Sequence, residues 1–151
     1  MKIGILQCGR SPAMLVSKFG DYDDMCISLL GMQFETAVYA VLDNDFPDSV
    51  QDADGWLISG SRFGVYEDHD WIPPLEDFLR TAYARSIPIV GICFGHQILA
   101  QALGGKVEKY SGGWSVGLVE YQMEGAEDPV PINAFHQDQV CLLYTSPSPR
   151  D

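Results

Sequence analysis

One of the four cysteines, Cys93, stands between two glycines in Val90-Gly91-Ile92-Cys93-Phe94-Gly95-His96-Gln97. The residues before it are almost wholly apolar and those after it read as a helix, so the thiol falls on a strand-to-helix turn. A side chain at the tip of such a turn sits in a strained conformation, with neighbouring chain passing close by. Glycines two residues before and two after remove the side chains that would clash. The unsatisfied N–H groups of a helix N-terminus can stabilise an oxyanion and favour the thiolate. The spacing therefore points to nucleophilic chemistry at a carbonyl. Cys8 and Cys26 lack that setting and read as buried core thiols.

The elements that must position this turn are legible from the pattern. Lys2 to Cys8 reads as a buried strand ending in Gly9-Arg10-Ser11-Pro12. Asp21 is placed to cap a helix over Tyr22–Met32. Phe34–Leu42 and Gly55–Ser59 read as strands, with Asp43–Asp54 an acidic turn between them. Pro73-Pro74 suits the first turn of a helix running to about Arg85. Ile87–Cys93, almost wholly apolar, is expected at the centre of a parallel sheet. Phe94–Leu103 is a helix stopped by Gly104-Gly105. Shorter strands are expected at Lys106–Tyr110, Val116–Met123 and Pro131–Phe135. Strands alternating with helices specify an α/β domain with a mainly parallel sheet, and open sheets of that kind bind ligands at the carboxyl ends of their strands, where Cys93 falls.

Composition narrows the function. The chain has 151 residues, a length that supports one domain. Nine Lys and Arg against 21 Asp and Glu leave a net charge of -12, which argues against nucleic acid or an anionic membrane as partner. No apolar run approaches the ~18 residues that cross a bilayer. Cys8, Cys26, Cys93 and Cys141 are widely spaced with no CxxC, so neither a metal site nor a disulfide framework is indicated, and a reducing cytosol fits. No cofactor motif is present. The last eleven residues, 141–151, carry Ser-Pro-Ser-Pro without periodicity; they are set apart as a non-native tail on a truncated reading frame, the alternative being a natural flexible tail.

The elbow, together with Ser59-Gly60-Ser61, resembles the class I, triad-type glutamine amidotransferase domain. Gly20–Tyr22, Asp54–Ser61, Tyr66–Asp68 and Gly112–Trp114 are similar to stretches of its stand-alone members. The resemblance covers about residues 1–140. It implies a flavodoxin-like fold, an open mainly parallel sheet with helices on both faces. It implies that Cys93 attacks the side-chain amide of glutamine, that the backbone N–H groups of Phe94 and Ser61 form the oxyanion hole, and that Gly60 and Gln97 contact the substrate. One helical turn beyond Cys93, Gln97 can share its face of the helix; the alternative is a solvated helix residue. The ammonia would pass to an acceptor, such as a synthase partner, that the sequence does not name.

One part of the family pattern is missing. The general base comes from a later His-Pro-Glu or His-x-Glu motif, and neither occurs here. Three histidines are present. His69 reads as solvated in an acidic loop, and His96 as part of the helix body. His136 matches a pocket-shaping segment and is the substitute to consider. Three other readings stay open: hydrolysis of a γ-glutamyl amide by the same Cys93, a non-catalytic binding or regulatory module, and the peptidase/chaperone branch of this fold. Gln97 and the Gly60-Ser61 loop argue against the last.

Overall fold

The structure, a computed structural model, describes residues 1–122, 125 and 127–142. Strand β1 (Lys2–Leu6) leads through a loop to helices α1 (Ala13–Phe19) and α2 (Tyr22–Leu30), then to β2 (Glu35–Tyr39). A single 3-10 turn, Val41–Asp43, precedes β3 (Gly55–Ile58), α3 (Ile72–Ala84), β4 (Ile89–Gly91) and α4 (Phe94–Ala102). Four further strands follow: β5 (Lys106–Lys109), β6 (Ser115–Tyr121), β7 (Val130–His136) and β8 (Asp138–Leu142).

The first four strands form one parallel sheet in the order β2-β1-β3-β4. Side chains alternate between its two faces, as strand geometry requires. Leu6, Trp56 and Ile58 join Leu75 and Leu79 of α3 and Phe94 and Ile98 of α4 in the larger core. Ile3, Ile5 and Leu57 point the other way, onto Cys26 of α2 with Leu30 and Phe34. Helices therefore cover both faces, which is the flavodoxin-like arrangement. Trp56 anchors the larger core. It is 2% exposed, its indole N–H donates to the Val50 carbonyl at 3.0 Å, and its ring meets Phe78 edge-on at 4.8 Å.

Several expectations need correction. β4 lies at the edge of the described sheet, not at its centre, and its Val90 is 59% exposed. The central positions belong to β1 and β3. α1 adds to the expected elements: its Met14, Leu15, Val16 and Phe19 are apolar yet exposed, and its 7 residues are too few to establish a helical period. The strands after α4 form two separate antiparallel pairs, β5 with β8 and β6 with β7. β8 takes in the backbone of Cys141 and Leu142, two residues assigned above to the tail. Residues 143–151 lie outside the described residues.

The α2 start follows the expected chemistry. Asp21 and Asp24 form a capping box, each carboxylate accepting from the other end's backbone N–H. Asp21 also accepts from the Ser11 N–H at 2.6 Å and from Arg10, which pairs with Asp43 as well. Partial burial pushes the Asp21 pKa up, but the N–H groups of Ser11 and Tyr22 and the Arg10 guanidinium outweigh it and hold the carboxyl below its usual range. The cap thereby ties the loop after β1 to the helix beside it.

The close fit at the β4–α4 turn is a stability statement. A Cβ on Gly91 would lie 2.3 Å from the Gly95 carbonyl carbon and 2.5 Å from the His96 nitrogen, both backbone atoms. A Cβ on Gly60 would meet nothing nearer than 3.9 Å. In urea unfolding, Gly91→Ala should lose roughly 1–3 kcal/mol, the range for overpacking a filled site. Gly60→Ala should stay within about 0.5 kcal/mol of the parent. Equal stability of the two variants would mean that close approach does not constrain the turn.

Candidate active site

β4 ends at Gly91 and α4 begins at Phe94, which leaves Cys93 as the residue that turns the chain. Its φ is +53° and its ψ -106°, a conformation that L residues rarely adopt. The turn is fastened on both sides. The Ile92 N–H donates to the Ile58 carbonyl at 3.0 Å, the Gly95 N–H to the Ile92 carbonyl at 2.9 Å, and the Gln97 N–H to the Cys93 carbonyl at 3.1 Å. Gly95 allows α4 to touch β3, since a Cβ there would stand 2.5 Å from the Ile58 oxygen. The two flanking glycines thus meet the need inferred from the sequence.

The loop after β3 comes to the same place. Ser59, 1% exposed, accepts from the Cys8 N–H at 2.9 Å and donates to the Gly60 carbonyl at 3.0 Å. This links the carboxyl ends of β1 and β3. The Ser61 hydroxyl accepts from the Phe63 N–H at 3.2 Å and shapes the following turn. Gly60, Ser61, Cys93 and Gln97 all line one cavity of about 660 Å³, and Phe94 is buried directly behind it. His136 and Asp138, at the junction of β7 and β8, line it too.

Asp138 is the residue that sequence reasoning missed. Its carbonyl accepts from the Gln97 side chain at 3.1 Å and faces the His136 ring nitrogen at 3.2 Å. Its carboxylate accepts from the Tyr66 hydroxyl at 3.0 Å. The partners are 41 and 72 residues away in sequence, so no local signal announces them. Gln97 is consequently buried, at 7% exposure, and not the solvated helix residue of the alternative reading. Burial and the contact with Asp138 together push the Tyr66 pKa up to about 12.

The electrostatics at Cys93 differ from the expectation of a favoured thiolate. Partial desolvation raises the thiol pKa, the Phe94 N–H lowers it, and the Asp138 carboxylate raises it again; the balance lies above the ordinary thiol value. The side chain itself is exposed to the cavity, while Cys8 and Cys26 are buried, and burial pushes their pKa values up as well.

The histidines divide clearly. His69 is not a solvated side chain: its ring packs 4.3 Å from Phe63 and stacks at 5.8 Å on Trp71, with Glu67 on its Nε2 at 3.0 Å. His96 is exposed on α4 and does not line the cavity. His136 does line it, yet among the described residues no histidine hydrogen-bonds the Cys93 thiol. Nor do three His, Cys, Asp or Glu side chains cluster as metal ligands among them, and no helix is long and apolar enough to cross a membrane.

Comparison with known proteins agrees with this arrangement. A sequence model of the family "Glutamine amidotransferase class-I" matches residues 27–146. Gamma-glutamyl peptidase 4 of Arabidopsis thaliana is 37% identical over 140 residues, covering 83% of this chain and 56% of that protein. GMP synthase [glutamine-hydrolyzing] of Phocaeicola vulgatus is 30% identical over 131 residues, covering 87% of this chain and 24% of that protein. The chain thus spans about half the length of the peptidase relatives. Among solved structures, a glutamine amido transferase from Methylobacillus flagellatus superposes with a TM-score of 0.71 at 22% identity, over 94% of this chain and 57% of that one. A glutamine amidotransferase from Thermotoga maritima gives 0.72 at 16% identity, over 95% and 63%. The structural likenesses establish the fold, and the family match, which spans the elbow and the strands behind it, establishes the lineage: the chain belongs to the class-I glutamine amidotransferase family.

Proposed function

We propose that the cavity at Cys93 carries out the glutaminase half-reaction of a glutamine amidotransferase. The observation that carries this reading is the elbow: an exposed thiol held at positive φ, with a helix N-terminus behind it and the Gly60-Ser61 loop beside it in one cavity. In the proposed reaction the Cys93 sulfur attacks the side-chain amide carbon of glutamine. The N–H groups of Phe94 and Ser61 hold the resulting oxyanion. The C–N bond then breaks, ammonia leaves with the proton given up by the thiol, and water hydrolyses the γ-glutamyl thioester to glutamate. Gly60 and Gln97 border the substrate. Arg62, which lines the cavity and forms no ion pair among the described residues, suits the α-carboxylate of an amino-acid substrate in a protein otherwise rich in acid.

A thiol with a raised pKa needs a base to ionise it and an acid to protonate the departing ammonia. The sequence holds no His-x-Glu motif, so we assign that role to residues beyond this chain and expect residues 1–140 to be the nucleophile-bearing portion of the domain. A synthase partner that accepts the ammonia belongs to the same proposal; the name of the GMP synthase relative joins those two activities for that protein. Cys8, Cys26 and Cys93 as free thiols support a cytosolic location.

Hydrolysis of a γ-glutamyl amide larger than glutamine is the second reading. The cavity volume favours it, because about 660 Å³ exceeds the need of a single amino acid. The gamma-glutamyl peptidase relatives support it by name.

Three measurements test the reading. Under limiting iodoacetamide, Cys93 should label before Cys8 and Cys26, as mass mapping would reveal; preferential labelling of either buried thiol argues against the elbow. Asp138→Asn removes a negative charge that disfavours the thiolate, so the Cys93 pKa should fall and its labelling near neutral pH should quicken. An unchanged or higher midpoint in the pH profile of labelling contradicts that electrostatic account. Ammonia release from glutamine by this chain should be weak, since loss of a general acid–base group typically costs ~10²–10⁴-fold. Adding a natural His-x-Glu-bearing segment should restore it, and Cys93→Ala in that longer protein should abolish it. Equal turnover by the short and long chains would move the base into residues 1–140 and make His136 the residue to mutate.

A further inference from the structure

Two aromatic side chains in the cavity wall have no part in the chemistry above. Trp114 and Phe135 both line the cavity that holds Cys93. Their ring centroids lie 5.4 Å apart, tilted at 47°. Phe135 pairs with Val116 across the β6–β7 ladder, and Trp114 immediately precedes β6, so the start of that strand carries its ring to Phe135. The two rings are 61% and 74% exposed, whereas the core aromatics Trp56, Trp71 and Phe94 are 3% exposed or less. This much aromatic surface left in water is unfavourable, and a flat or branched apolar group lying against it would remove that surface from solvent.

Glutamine cannot supply such a group. Its leaving fragment is ammonia, and its glutamyl part is engaged at the Cys93 end. The cavity of about 660 Å³ instead falls in the range of roughly 300–1,000 Å³ typical of sites for larger ligands. The aromatic pair is continuous with the cavity and not a separate patch, so a second portion of the same substrate is its natural occupant.

We infer that Trp114 and Phe135 form the leaving-amine subsite of the Cys93 cavity, selecting a γ-glutamyl amide whose amine carries an aromatic or branched apolar side chain. A γ-glutamyl dipeptide with an apolar second residue has this chemistry. The inference rests on the proposed reading of Cys93 as a nucleophile toward γ-glutamyl amides. The bonds balance as before: sulfur bonds to the γ-carbonyl carbon, the C–N bond breaks, the amine of the second residue departs with the thiol proton, and water releases glutamate from the thioester.

The test is calorimetric binding to the full chain carrying Cys93→Ala, which prevents turnover. The probes are L-glutamine, γ-L-glutamylglycine and γ-L-glutamyl-L-phenylalanine. The phenylalanine compound should bind about tenfold more tightly than the glycine compound, the gain expected when a Phe side chain is largely buried. Adding Trp114→Ala or Phe135→Ala should erase that difference, weakening γ-L-glutamyl-L-phenylalanine far more than γ-L-glutamylglycine. Trp114→Phe, which keeps a ring on the same fold, should retain most of it. If γ-L-glutamylglycine and γ-L-glutamyl-L-phenylalanine bind equally to the parent, or if the alanine variants weaken both alike, the subsite is refuted while the reading of Cys93 stands. If none of the three probes binds, the γ-glutamyl reading itself fails, and the subsite falls with it.

Discussion

Everything at the cavity depends on one tight contact, the passage of the β4–α4 turn against the carboxyl end of β3. Cys93 occupies positive φ, a strain of roughly 1–3 kcal/mol for a residue with a side chain. It is held there by α4, whose Phe94 and Ile98 are 1% and 0% exposed in the larger core. Burying a side chain of that kind is worth roughly 1.5–3 kcal/mol. Two such anchors more than offset the strain, provided that α4 can approach the sheet. Gly91 and Gly95 permit the approach because a Cβ at either would meet backbone within 2.5 Å. The strain is therefore a consequence of core packing, and it presents the sulfur to the cavity.

A second set of contacts makes the surroundings of the sulfur rigid. The Ser59 hydroxyl joins the ends of β1 and β3, and the loop it secures carries Gly60 and Ser61. On the opposite side in sequence, the Asp138 carbonyl holds the Gln97 amide, and its carboxylate holds Tyr66. Asp138 thus connects β8, α4 and the loop following β3. Without β8 the Gln97 amide would lose its partner, and a buried amide left unpaired costs about 1–3 kcal/mol. The strand that reads as least regular in the sequence is consequently part of the site.

The legible features were those written locally. Asp21 as a cap, Pro73-Pro74 in the first turn of α3, the continuous apolar runs of β1 and β3, and the glycines around Cys93 each carry their own chemistry in a few neighbouring residues. What escaped was set by distant partners or by missing burial. α1 has only 7 residues, too short a run for its exposed apolar Met14, Leu15, Val16 and Phe19 to establish a helical period. β4 is as apolar as a central strand but forms the edge of the described sheet, and composition alone cannot separate those positions. β8 alternates too weakly to stand out, and its pairing with β5 reaches back across about thirty residues. His69 looked solvated because its neighbours Glu67, Asp68 and Asp70 are acidic, yet the rings that pack it, Phe63 and Trp71, lie just outside that run.

The sign of the Cys93 shift separates two tasks that an elbow is often assumed to perform together. A helix N-terminus offers an anion about 0.3–1 kcal/mol at an ordinary site. One pKa unit corresponds to about 1.4 kcal/mol. Desolvation alone can exceed that by several units when a group is withdrawn from water, and here it is the leading influence, reinforced by Asp138. The elbow therefore supplies position and exposure, while desolvation and Asp138 keep the thiol pKa above its ordinary value. The helix N-terminus at Phe94 thus opposes the two influences that raise the Cys93 pKa without reversing them.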